Sequence, residues 1–79
     1  MEIKIIGKDS SNRMKLVKNV GRALEEIKGK INVLLLEEQQ DLEKYGISNV
    51  PALVINDKVI SQGKLLREKE IKNFIRILT

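Results

Sequence analysis

Tyr45-Gly46-Ile47-Ser48-Asn49-Val50-Pro51-Ala52-Leu53-Val54-Ile55-Asn56-Asp57 is the stretch that decides how this 79-residue chain folds. It holds the only proline, set directly before a short apolar run. Proline cannot donate to a sheet ladder, so Pro51 belongs at the first residue of a strand. It also pushes Val50 out of the α region into an extended conformation. Residues 52–55 then read as a buried strand, Asn56-Asp57 as a turn, and residues 58–61 as a second strand. The two-residue gap predicts a hairpin, although Asn-Asp is a weaker turn signal than Asn-Gly.

Working outward, residues 37–44 read as a short polar helix whose clearest apolar anchor is Leu42, closed by Gly46. Residues 31–36 form a branched apolar run interrupted only by Asn32, as expected of a strand covered on both faces. Residues 2–6 alternate and are rich in isoleucine, which predicts a first strand ended by Gly7. Asp9, Ser10, Ser11 and Asn12 are four consecutive residues of N-cap type. Behind them Met14, Val17, Val20, Leu24 and Ile27 recur at spacings of three and four, one stripe of a helix ending near Gly29. Beyond Gly63, the residues Ile71, Phe74, Ile75 and Leu78 fall on one face of a last helix. The order is β-α-β-α-β-β-α: a parallel pair with a right-handed crossover, followed by an antiparallel hairpin.

Composition excludes much. The chain has no cysteine and no histidine. It therefore supplies no disulfide, no thiolate, no zinc-thiolate or iron–sulfur ligand and no imidazole base. Carboxylates, lysines and Tyr45 are what remain for acid–base work. The apolar share of 42% and charged share of 33% suit a globular protein rather than a disordered one. No apolar run approaches the roughly 20 residues that span a bilayer, and the N-terminus does not read as a signal peptide. These features predict one cytoplasmic domain over 1–79, with no membrane contact.

The net charge of +4 is uneven. Lys4, Lys8, Arg13, Lys15, Lys18 and Arg22 face only Glu2 and Asp9 up to that point, and acidic residues concentrate after it. A basic stripe attracts phosphates, but single-strand binding needs stacking platforms. Two aromatics, Tyr45 and Phe74, are too few, which argues against nucleic acid.

The glycine, small polar pair and Val-Pro before a strand resemble the cis-proline loop of thioredoxin-like proteins, and the element order agrees. Over its whole length the chain is similar to the small single-domain thioredoxin/glutaredoxin-like family. The resemblance implies an α/β thioredoxin-like fold: a mixed four-stranded sheet flanked by helices. In Gly7-Lys8-Asp9-Ser10-Ser11-Asn12-Arg13-Met14-Lys15-Leu16, Ser10 stands where the family's nucleophilic cysteine would be and Arg13 where the resolving cysteine would be. Pro51 falls on the cis-proline position, and Gly63 on the glycine before the final helix. Both sulfurs are gone. Cys→Ser is a common trapping change but Cys→Arg is not, so a naturally degenerate site fits Arg13 better.

By the same resemblance, the backbone of Val50 would pair with an extended peptide or a glutathione-like ligand. Ser10, Ser11, Asn12 and Arg13 occupy the degenerate redox positions. A helix N-terminus carries unpaired N–H groups and about half a positive charge. Arg13, with Lys8 just upstream, would add to that field and suit a small anion. The plainer reading makes Ser10 or Ser11 a helix cap and Arg13 a solvated side chain. The expected function is a redox-inactive peptide- or anion-binding module with no cofactor and no catalytic residue. One alternative is a degenerate oxidoreductase or a glutathione-binding enzyme domain using Ser10. The other is a structural subunit docking a protein partner through its fourth strand or last helix.

Overall fold

The computed structural model describes residues 1–27 and 29–78. Seven elements follow one another: β1 (Glu2–Ile6), α1 (Ser11–Leu24), β2 (Asn32–Leu36), α2 (Gln39–Tyr45), β3 (Ala52–Ile55), β4 (Lys58–Gln62) and α3 (Glu68–Leu78). The strands form one mixed sheet in the order β2-β1-β3-β4. β1 runs parallel to β2, while β3 is antiparallel to both β1 and β4. This is the architecture of a thioredoxin-like fold.

Side chains alternate across the sheet, so its two faces carry separate cores. Ile3 and Ile5 of β1, with Leu53 and Ile55 of β3, pack under Leu16, Val20 and Ala23 of α1 and under Ile71 and Ile75 of α3. On the opposite face Ile6, Ala52 and Val54 meet Ile47, with Leu42 and Tyr45 of α2 beside them. Each fully buried aliphatic side chain contributes about 1.5–3 kcal/mol, and almost all of that burial is aliphatic. Asn56 and Asp57 both adopt positive φ, 48° and 66°. That suits the twisted two-residue hairpin, and asparagine and aspartate tolerate it better than other non-glycine residues.

A polar cluster ties the hairpin back to β1. Lys4 Nζ donates to the Tyr45 hydroxyl, which in turn donates to Asp57 Oδ1 at 2.8 Å. Glu2 Oε1 lies 3.3 Å from Lys4 Nζ. The Tyr45 hydrogen bond, then the Lys4 charge, hold the Asp57 carboxyl below the usual carboxylate range. Tyr45 and Glu2 hold Lys4 in its charged form to higher pH than usual.

Three expectations change. Of the expected α1 stripe, Val20 is buried and Val17, Leu24 and Ile27 pack partly buried against the same core, but Met14 stays 55% exposed and the other fully buried places go to Leu16 and Ala23. The helix ends at Leu24, short of Gly29, and Glu25 and Ile27 bond back three residues to Arg22 and Leu24. Glu25 and Glu26 bring negative charge to the negative end of the helix dipole, which favours stopping there. The largest change concerns β2, expected to be covered on both faces. It is an edge strand, with Val33, Leu34 and Leu35 between 41% and 49% exposed.

Candidate functional site

Four segments converge at the end of the sheet where β1 and β2 finish. They are the turn from β1 into α1, the first turn of α1, the start of α2, and the loop before β3. Gly7 ties two strands together, its N–H donating to Leu36 O at 2.9 Å. Its φ of +149° is one that side chains of L-residues rarely adopt. A Cβ there would lie 3.1 Å from Val50 Cβ and 3.4 Å from Pro51 Cα. The turn and the proline loop are thus in direct contact, and only glycine lets them approach so closely.

The Val50–Pro51 peptide bond is cis. The loop is held from behind by β4 and the residue after it. Gln62 Oε1 accepts from Ser48 N at 2.9 Å and Asn49 N at 3.4 Å, and Gly63 N donates to Pro51 O at 2.9 Å. Pro51 is buried, but Val50 is 47% exposed. The N–H and C=O of Val50 have no hydrogen-bond partner among the described residues. An unpaired backbone pair beside an exposed apolar side chain is what an added strand can use.

Ser10 is the N-cap of α1, its Oγ accepting from Arg13 N at 3.1 Å. Ser11 and Asn12 are exposed on the first turn. Arg13 does not stand free. Its guanidinium donates to Gly7 O at 3.3 Å and pairs with Glu37 and with Asp9, the latter at 3.4 Å. Only 13% of its side chain is exposed. Two carboxylates and a carbonyl therefore take up this cation, which clips the ends of β1 and β2 to the start of α1. Lys8 is exposed at the rim.

Between these segments lies a cavity of about 460 Å³, lined by Gly7, Lys8, Ser10, Glu37, Gln39, Leu42 and Val50, among others. The structure thus brings Lys8, Ser10 and Val50 to one cavity, with Arg13 and Pro51 supporting it from behind. Glu37, Gln39 and Gln62 were not legible as site residues. Glu37 is 24 positions from Arg13 and Gln62 is 14 from Ser48, so no local motif links them. The one usable signal was Gly7, a glycine directly after a strand. Among the described residues no group of three or more acidic side chains is placed to hold a metal ion, and no helix is long and apolar enough to cross a membrane.

Comparison with known proteins agrees with this architecture. A family model described as a thioredoxin domain matches residues 1–76. No curated protein matches the chain. With the match running nearly end to end over this strand order and this proline loop, the chain belongs to the thioredoxin-domain family.

Proposed function

We propose that this thioredoxin-domain protein works as a binding module and holds an extended peptide in the cavity between Val50 and the start of α1. Thiol–disulfide exchange requires attack by a thiolate, and the chain has no cysteine to supply one. What the family's site retains is its recognition surface. The observation that carries the reading is Val50: an exposed side chain whose backbone N–H and C=O are unpaired, at the mouth of the cavity. A peptide laid along it gains backbone hydrogen bonds, while Leu42 and Val50 offer apolar contact. Arg13 speaks for a peptide over an anion, because Glu37 and Asp9 already neutralise it and an incoming anion would have to displace them. In this reading Arg13 is a scaffold residue, and Ser10 keeps a hydroxyl proton to donate into the cavity.

The test is selection from a displayed library of random dodecapeptides, followed by amide mapping of the best binder. Shifts are expected at Val50, at Gly7 to Ser10 and around Leu42. Millimolar sulfate is expected to leave the Ser10 to Arg13 amides in place, and reduced glutathione serves as a short peptide-like probe. If sulfate moves these amides and no peptide does, the anion reading replaces the peptide one.

A further inference from the structure

The four-stranded sheet has two open edges, and they are not alike. β4 is blunted by the exposed Lys58 and by an irregularity in its pairing with β3 opposite Leu53 and Val54, the usual devices that keep an edge from recruiting another strand. β2 has none. Its sequence Asn32-Val33-Leu34-Leu35-Leu36 has no charge, no proline and no bulge, and it pairs with β1 residue for residue. Among the described residues, three of the seven large apolar side chains that stand exposed are consecutive here. By register, Val33 and Leu35 share a face with Ile3 and Ile5, and Leu34 shares the opposite face with Lys4. Both faces of the edge are therefore apolar and open to water.

We infer that β2 pairs with β2 of a second copy of this chain, antiparallel about a two-fold axis through Leu34, joining the two sheets into one of eight strands. Hydrogen-bond parity leads to this register. Asn32 N donates to Met1 O, and Leu36 O accepts from Gly7 N. In a parallel ladder, alternate residues bond to the same neighbour, so Asn32, Leu34 and Leu36 face β1. The N–H and C=O of Val33 and Leu35 consequently point outward. An antiparallel partner must meet outward groups with outward groups, which confines the register to Val33 opposite Leu35, or to either residue opposite itself.

Charge separates these three. Lys30 and Glu38, both exposed, flank the strand. Only with Val33 opposite Leu35 does Lys30 of each copy stand across from Glu38 of the other, so two ion pairs close the ends. The same register places Leu34 against Leu34 at the axis and makes four backbone hydrogen bonds between Val33 and Leu35. A basic end and an acidic end on one strand are self-complementary only in the antiparallel sense. That property favours a second copy over an unrelated peptide.

One short strand a side is a small interface, so the assay must reach from about 10 μM to about 1 mM, concentrations suited to weak association. Sedimentation equilibrium is expected to show a monomer–dimer equilibrium. Amide exchange at Val33 and Leu35 should slow as concentration rises, because only the partner strand covers those groups. Lys30→Glu alone sets like charges opposite each other twice, and should weaken the dimer by about tenfold or more. Glu38→Lys alone should do the same, and the double variant Lys30→Glu with Glu38→Lys should restore it. Both positions are exposed, so the fold is not at risk, and circular dichroism verifies this. A protein that stays monomeric at 1 mM overturns the proposal. So does a dimer in which the Val33 and Leu35 amides exchange as fast as in the monomer, or one that both single reversals leave intact.

Discussion

Replacing Gly7 by alanine puts a methyl group where the turn after β1 crosses the Val50–Pro51 loop. Two costs arise. At φ +149° an L-residue is held in a sparsely populated region, which costs on the order of 1–3 kcal/mol. The new Cβ would also sit 3.1 Å from Val50 Cβ and 3.4 Å from Pro51 Cα. Pro51 Cα is backbone and the loop behind it is tied to Gln62 and Gly63, so relief must come from moving Val50. Overpacking of that kind adds about 1 kcal/mol or more, bringing the expected loss to about 2–4 kcal/mol. With a urea slope of about 1 kcal/mol/M for so small a protein, the midpoint should fall by about 2 M or more. Gly46→Ala is the internal control. Gly46 also has positive φ, +63°, but a Cβ there meets nothing within 4 Å, so only the left-handed strain of about 1–2 kcal/mol applies. Urea unfolding of both variants, with amide spectra of Val50, settles the matter. If Gly7→Ala loses no more than Gly46→Ala, or leaves the Val50 signal in place, the two segments are not packed as described.

Ser10→Ala removes the oxygen that accepts from Arg13 N and should cost about 1 kcal/mol, read as a fall in Tm of about 4–8 °C. Ser61 has a buried Oγ with no hydrogen-bond partner among the described residues. Ser61→Ala should therefore raise stability by about 1 kcal/mol, and a clear loss in urea unfolding would refute this. Asp57→Asn keeps a residue that tolerates positive φ and removes the charge held by Tyr45 and Lys4. The folded carboxyl is depressed, so its stabilisation is present above the ordinary carboxylate value of about 3.9 and is lost as pH falls through the lower folded value. The stability gap between wild type and Asp57→Asn should thus stay constant from neutral pH down to near the ordinary carboxylate value and narrow only as pH falls below it, measured by urea midpoints at a series of pH values.

Elements marked by strong local signals were legible in the sequence. Isoleucine alternation and Gly7 bound β1, Pro51 opens β3, and Gly46 closes α2 in the left-handed conformation. Legibility failed where position within the sheet decides the outcome. An apolar run such as residues 31–36 reports that a strand forms, but not that β2 ends up outermost with one neighbour. In α1 the stripe from Val17 to Ile27 does reach the core, but its spacing does not reveal that Leu16 and Ala23 take fully buried places while Met14 stays exposed. Arg13 illustrates the same limit at the site. Its position in the first turn was evident, but its partner Glu37 comes from the far end of β2, so a free cation and a clip looked identical in sequence.

The proposed pairing of the Val50 backbone with an extended chain needs no sulfur chemistry. It is tested most directly by leaving the protein untouched and N-methylating a selected peptide one residue at a time, with calorimetric titration of each analogue. Strand pairing to a single residue predicts that methylation at one peptide position lowers affinity about two- to tenfold, as expected for the loss of a hydrogen bond worth about 0.5–1.5 kcal/mol, while its neighbours on either side tolerate the change. Analogues that all bind like the parent peptide would contradict the account.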